Sequence, residues 1–95
     1  READDRCIEN VFTQQIINTE EQAHRYKVAV DGLKDVEIDG VSEVEVPAGM
    51  LQSFMTVVRA QPDSGNKGAN PIHFEITALE DQKIHVREKA SFMLP

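Results

Sequence analysis

Apolar and polar residues alternate with a period of two along the last third of the chain. The alternation runs through residues 72–78, stops over a mostly polar five-residue segment at 79–83, and resumes at 84–87. Because successive side chains of a strand point to opposite faces, this pattern predicts a half-buried β-hairpin. A symmetric loop would set its register, pairing Thr77 with His85, Glu75 with Arg87 and His73 with Lys89.

Shorter strand patterns occupy the preceding two thirds of the chain. We predict an edge strand at 7–9 and further strands at 11–18, 25–30, 36–38, 44–46 and 51–60. Turn residues separate them: a polar run at 18–22, Asp31-Gly32, Asp39-Gly40 and Pro47-Ala48-Gly49. The long segment at 61–71 is typical of a connection that crosses from one sheet to another.

About seven short strands at this spacing predict an all-β fold, an immunoglobulin-like two-sheet antiparallel β-sandwich. An open barrel is the alternative. The chain lacks the cysteine pair and the tryptophan of antibody domains, since it has one Cys and no Trp. We predict that one core contains Phe12, Ile16, Tyr26, Val28, Val30, Phe54, Val58, Ile72, Phe74, Ile76, Val86 and Phe92.

Length and composition agree with one folded unit. The 95 residues are enough for a single domain spanning 1–95, and Leu, Ile, Val and Phe make up 25 of them. Ten of the 25 are Val and seven are Ile, which favours strands over helices. The chain begins with Arg1 rather than Met, so we expect it to be a piece excised from a longer protein.

The charge balance narrows the range of partners. A formal net charge of −7 argues against a nucleic-acid surface, which needs clustered Lys and Arg. No apolar run approaches the ~20 residues that span a bilayer, so we do not expect this segment itself to cross a membrane.

Three sets of side chains are candidate metal ligands, and each also has a simpler explanation. The histidines are His24, His73 and His85; the predicted register puts the last two about four residues apart, too far to share one ion. The soft ligands for copper(I) are Met50, Met55, Met93 and Cys7, but methionine more often fills gaps in a core. The acidic residues Asp35, Glu37, Asp39, Glu43 and Glu45 lack calcium-loop spacing and suit a solvated strand face.

The sequence shows no catalytic motif. It contains no Gly-rich phosphate loop and no nucleophile elbow, and the single cysteine has no neighbouring histidine or basic cluster to activate it. We therefore expect no catalytic residue, no bound metal and no cofactor in this domain, and we interpret Cys7 as an inert thiol. It is not predicted to be an enzyme by itself.

A series of short motifs follows in order from Glu9 to Pro95. They are Glu9-Asn10-Val11-Phe12-Thr13, Ile16-Ile17-Asn18, Tyr26 with Val28 and Val30, Gly32-Leu33, Pro47-Ala48-Gly49, Arg59-Ala60, Asn70-Pro71-Ile72 with Phe74, and Ser91-Phe92. In this order and spacing the chain resembles the C-terminal immunoglobulin-like domain of the FixG/CcoG family. Gln14 and Met55 depart from the family's pattern, at an inward apolar position and at a position where proline is frequent.

The resemblance implies a larger parent protein. It would be an integral-membrane, 4Fe–4S-binding electron-transfer protein, an oxidoreductase associated with the assembly of a cbb3-type cytochrome oxidase and its copper supply. The clusters would belong to a part of the parent outside this chain. The domain is then expected on the periplasmic side of the bacterial inner membrane, tethered through the parent's transmembrane helices.

Three functions follow as hypotheses. The first is a non-catalytic accessory domain that binds another protein or the parent's own membrane region. The second is a copper-binding transfer domain that uses Met, His and Cys. The third is a generic adhesion or carbohydrate-binding module, which the low aromatic content disfavours because sugar-binding platforms need exposed rings.

Overall fold

The computed structural model describes residues 6–95, which contain seven β-strands. In chain order these are β1 (Ile8–Ile17), β2 (His24–Asp31), β3 (Glu37–Asp39), β4 (Glu43–Val46), β5 (Leu51–Ala60), β6 (Gly68–Ala78) and β7 (His85–Leu94).

The strands form two antiparallel sheets. The three-stranded sheet has the order β1-β5-β3, and the four-stranded sheet has the order β4-β2-β6-β7. The predicted all-β sandwich is therefore confirmed, and two separate sheets exclude the open barrel. The segment between β5 and β6 crosses from one sheet to the other, as its length predicted.

Two strand boundaries differ from the prediction. The predicted strands at 7–9 and 11–18 are one continuous strand, because β5 offers ten consecutive partners from Ala60 opposite Ile8 to Leu51 opposite Ile17. The crossing loop is shorter than predicted, since β6 begins before Pro71. β2 pairs with β6 only from His73 onward, so Pro71 has a neighbouring strand on one side alone, where a missing N–H is tolerated.

The final hairpin has the predicted register. Glu75 lies opposite Arg87, Thr77 opposite His85 and His73 opposite Lys89. The loop could be located from sequence because the apolar residues of β6 and β7 must lie on the same face of the sheet. A symmetric five-residue loop places them there.

The core lies between the two sheets, and two phenylalanines join the sheets directly. The ring of Phe12 on β1 meets that of Phe74 on β6 edge to face, with centroids 5.2 Å apart and planes at 70°. Such a pair adds roughly 0.5–1.5 kcal/mol beyond the area it buries. Eleven of the twelve predicted core residues are buried or packed against the core; Phe12, Val30 and Phe54 are the partly buried ones.

Val86 is the exception, and the prediction for it was wrong. It lies opposite the buried Ile76, so it is on the inward side of its sheet as expected, yet it is 47% exposed. The reason is that the three-stranded sheet does not cover this end of β7.

Two buried asparagines hold the loops at the ends of the sandwich. The Asn18 side chain donates to the carbonyls of Gln22 and Val46 and accepts from the Glu20 amide, which shapes the β1–β2 turn. Asn70 donates to the carbonyl of Asn66 at 2.7 Å and accepts from the amide of the same residue at 2.9 Å. The side-chain amide of each asparagine hydrogen-bonds backbone groups that have no strand partner. The buried amides are therefore satisfied, and burying them costs little free energy.

Gln14 is the buried polar residue of β1. Its Nε2 donates to the Thr56 hydroxyl at 2.5 Å, while its Oε1 is buried without a partner among the described residues. The position therefore faces inward, as the family pattern implied, but carries an amide where an apolar side chain would fit.

Replacing Phe74 by alanine tests the assignment of the core. The truncation removes the contact with Phe12 and leaves a cavity, so we expect a loss of about 3–5 kcal/mol in unfolding free energy. Denaturant melts of the variant and of Val41→Ala, at a position 82% exposed, provide the comparison. A loss below ~1 kcal/mol at Phe74 would contradict the assignment.

Gly32 and Gly40 form a matched pair for testing a close approach between backbones. Both have positive φ, +123° and +90°, but a Cβ on Gly32 would lie 2.7 Å from the Pro71 oxygen, whereas one on Gly40 meets nothing within 4 Å. Gly40→Ala should cost about 1–2 kcal/mol through φ strain alone. Gly32→Ala should cost at least ~1 kcal/mol more in the same melt, because backbone must move. If both variants lose the same unfolding free energy, the backbone near Pro71 moves aside without cost and the prediction is wrong.

Candidate interaction site

The outer side of the three-stranded sheet carries an uncharged surface. It consists of eight neighbouring outward residues of two adjacent strands, Val11, Thr13, Gln15 and Ile17 of β1 and Leu51, Ser53, Met55 and Val57 of β5. We call these eight residues the uncharged face. The next outward pair of these strands is charged, since Glu9 lies opposite Arg59, and Glu37 of β3 lies on the other side of Arg59. Val11, Ile17, Leu51 and Met55 are 58%, 63%, 49% and 65% exposed.

Ladder pairing places these side chains side by side. Ile17 lies opposite Leu51, Val11 opposite Val57 and Thr13 opposite Met55, so apolar groups from both strands adjoin one another. The outward apolar residues of β1 are also the reason that its sequence is apolar at both parities. Contiguous exposed apolar surface without charge is unusual on a monomer and marks interaction sites.

The outer side of the four-stranded sheet is different in kind, because charged side chains pair across it. Arg87 donates to both carboxylate oxygens of Asp31, at 3.0 and 3.1 Å, and to Glu75 at 2.8 Å. These hydrogen bonds, first those to Asp31 and then that to Glu75, raise the pKa of Arg87. On β2, Arg25 pairs similarly with Glu45 at 3.3 Å. The eight positions of the uncharged face have no counterpart of these charged pairs.

A groove opens between β1 and β7, the neighbouring edge strands of the two sheets. Asn10 bridges these strands at one end, where its side chain accepts from the Met93 amide at 2.8 Å and donates to the Met93 carbonyl at 3.2 Å. Toward the other end a cavity of about 360 Å³ lies between them, lined by Ile16 of β1 and by Tyr26, Ile76 and Val86 of the four-stranded sheet.

His24, one of the three candidate histidine ligands, is buried, which was not predicted from the sequence. Its Nδ1 lies 3.4 Å from a carboxylate oxygen of Glu80, and its ring packs edge to face with Tyr26. The pKa of Glu80 is lowered below 4.5, chiefly by the hydrogen bond from its own amide, then by the Arg25 amide and by His24. The signal that could have located His24 is its parity with Tyr26 and Val28 on β2.

The candidate metal ligands do not converge. Among residues 6–95 no three His, Cys, Asp or Glu side chains lie close enough to hold an ion. His73 and His85 are four ladder positions apart, as the register required. The acidic candidates are divided between the sheets, since Glu37 and Asp39 lie on β3 and Glu43 and Glu45 on β4.

The methionines are not core residues, and that expectation was wrong. Met50, Met55 and Met93 are each more than half exposed, because Met55 and Met93 have outward parity and Met50 precedes β5 in a turn. Met50 lies beside Asn18 and Met93 beside Asn10, which places them at opposite ends of β1. That separation is about 27 Å of strand, so these two cannot share an ion.

Cys7 is buried just before β1. Its sulfur accepts a hydrogen bond from Gln61 Nε2 at 3.3 Å. Burial and this amide contact keep the thiol out of bulk solvent, which suits the inert role expected of it.

The two sheets, their antiparallel order and their paired edges define the chain as an immunoglobulin-like β-sandwich domain. The family model described as "IG-like fold at C-terminal of FixG, putative oxidoreductase" matches residues 1–95, and the chain belongs to this family. The description gives the domain an Ig-like fold and no catalytic feature. The resemblance inferred from the motifs is thereby confirmed.

A solved structure agrees with this family. The crystal structure of a FixG-related protein from Vibrio parahaemolyticus superposes with a TM-score of 0.81 at 26% sequence identity, covering 93% of this chain and 80% of that one. No curated protein matches the chain. Within residues 6–95 there is no helix with the length and apolarity that a membrane crossing requires.

The lowered pKa of Glu80 predicts a pH dependence of stability. A carboxyl whose folded pKa lies below its unfolded value stabilises the fold above about pH 4.5, and this contribution is lost as the pH falls through the folded value. Glu80→Gln should therefore flatten the fall in melting temperature between about pH 5 and pH 3. Glu21→Gln, which removes the same charge nearby, is the control. Parallel curves for wild type and Glu80→Gln would contradict the prediction.

Proposed function

We propose that this domain is a non-catalytic protein-interaction module of a FixG-type parent and that the uncharged face is its docking surface. The observation that carries the proposal is the contrast between the two outer surfaces. The chain has a net charge of −7, yet four consecutive outward positions on each of two paired strands carry no charge. Solvation alone would favour charged residues there, as it does on the four-stranded sheet.

The chemistry of the surface suits a protein partner. Its exposed side chains are aliphatic or methionine, flanked by Thr13, Gln15 and Ser53, which can exchange hydrogen bonds with another protein. Methionine adapts to irregular partner surfaces because its side chain is flexible and polarizable. The uncharged face covers seven residues of each strand, a strip about 23 Å long, so the contact area is small and the complex is of the transient kind.

The wider setting follows from the family. We infer that the parent is a membrane-bound iron–sulfur electron-transfer protein acting in cbb3-type oxidase assembly and copper supply. In this proposal the 4Fe–4S clusters lie elsewhere in the parent, and the domain itself holds neither cluster nor copper. It is located on the periplasmic side of the inner membrane, and its partner is another assembly protein or the parent's own membrane region rather than nucleic acid.

The copper-transfer alternative has no supporting geometry. Its soft ligands are scattered along β1, and one cysteine cannot assemble a four-thiolate cluster. Calorimetric titration with copper(I) under reducing conditions should show no stoichiometric site of sub-micromolar affinity. Such a site would replace the interaction function with metal transfer.

A charge placed in the uncharged face tests the docking surface. Met55→Lys in the full-length parent should weaken co-purification of oxidase assembly proteins at least about tenfold, since the ammonium would be desolvated at the contact. Leu79→Lys is the control, because it exchanges an apolar residue that is 45% exposed in the β6–β7 turn, outside the uncharged face. Equal loss with both variants, or none with Met55→Lys, would contradict this surface.

Deleting the domain separates docking from cofactor loading. The truncated parent should keep its clusters and lose oxidase assembly or its own stability. Loss of the clusters from a parent that still folds and inserts in the membrane would contradict the accessory role.

A further inference from the structure

The groove between β1 and β7 exposes the inward side of a strand. Val86 and Glu88 of β7 lie opposite Ile76 and Phe74, both buried, so their side chains belong to the face that forms the core. Toward its other end β7 is covered, with Phe92 and Leu94 buried. The sandwich is therefore closed at Asn10 and open toward Val86.

The backbone of β7 is open along the same stretch. β7 pairs with β6 on one edge alone, and among the described residues no backbone hydrogen bond joins it to β1. An unpaired edge beside uncovered apolar side chains is a template for one more strand.

Tyr26 gives the groove a polar anchor. The side chain is 96% buried and lines the cavity, and its hydroxyl makes no hydrogen bond within residues 6–95. The hydroxyl oxygen is not among the buried atoms that lack a partner, so it is open to the cavity, where an occupant of the groove can accept or donate a hydrogen bond.

The groove is also negatively charged. Glu20 and Glu88 line it, and neither carboxylate has an ion-pair partner within residues 6–95. Burial first, and then the charges of Glu20 and Glu80, raise the pKa of Tyr26 above 10.0. The electrostatic field at the hydroxyl therefore favours a cationic occupant.

We propose that this groove binds an extended segment of a partner protein, which pairs with the open edge of β7. An apolar side chain of the segment packs against Tyr26 and Ile76, and a lysine or arginine two residues along the segment, on the same face, pairs with Glu20 or Glu88. The cavity of about 360 Å³ is large enough for two or three such side chains, not for a folded element. This binding rests on the proposed interaction function and adds the chemistry of one recognised segment.

An inward charge on an edge strand has a second known use, which is to prevent strands of other molecules from pairing there. Removing the charge of Glu88 distinguishes the blocking role from the proposed recognition role. If Glu88 only blocks pairing, Glu88→Gln should make the chain self-associate. If it recognises a cation, the variant stays monomeric and binds a basic strand more weakly.

The test is an NMR titration of the isotope-labelled 95-residue chain with a synthetic peptide of about nine residues in which valine and lysine take turns at every second position and threonine fills the positions between them, so that valine and lysine share one face of the strand. The same peptide with glutamate in place of lysine is the matched probe of opposite charge. We expect the lysine peptide alone to shift the amides of residues 84–90 and 15–20. Tyr26→Phe should weaken its binding about two- to tenfold, and Glu88→Gln about two- to fivefold.

Glu37→Gln on β3 removes an equal charge outside the groove and should leave the peptide affinity unchanged. Equal weakening by Glu37→Gln, shifts spread over the four-stranded sheet's outer face, or no shifts at millimolar peptide would overturn the proposal. So would sedimentation showing that wild type or Glu88→Gln dimerises through β7. If the peptide fails while Met55→Lys still disrupts the parent's complexes, the docking function stands without this groove.

Discussion

The pairing of β1 with β5 over ten consecutive residues is the interaction on which the rest of this structure depends. It brings Phe12 over Phe74 and so joins the two sheets through one aromatic contact. It also sets the outward residues of both strands side by side as the uncharged face. β1 pairs with β5 and not with β7, so among the described residues only the side chain of Asn10 hydrogen-bonds across to β7. The groove lies where β1 and β7 are apart.

Charge is distributed between the surfaces in a way that composition does not reveal. Arg87 and Arg25 are held by carboxylates on the four-stranded sheet, so most of that surface is solvated and internally paired. The unpaired carboxylates of the groove and the neutral face of β1 and β5 lie on the remaining sides. The domain therefore offers a partner an apolar surface, the uncharged face, next to a negatively charged groove. This arrangement favours specific binding over non-specific electrostatic attraction.

Much of the fold could be predicted because its signals are local. The hairpin register followed from alternation around a polar loop, and the turns at Gly32 and Gly49 followed from residues that accept positive φ. The candidate site was harder to predict. His24, Asn18 and Asn70 are polar residues buried by partners far along the chain or across a loop, and no short window of sequence contains those partners.

By itself the sequence determined the strands, their inward and outward parity, the pairing of β6 with β7 and the family. Period-two alternation encodes the strands, their parity and the hairpin pairing, since parity decides which face of a sheet a side chain joins, while the family follows from the order of the short motifs. Only the tertiary structure decided what covers each face. Val86 has inward parity but no sheet above it, and Met55 has outward parity among neighbouring side chains of β1 and β5 that bear no charge. Coverage depends on how two sheets are placed, which is a property of long-range packing and not of any local pattern.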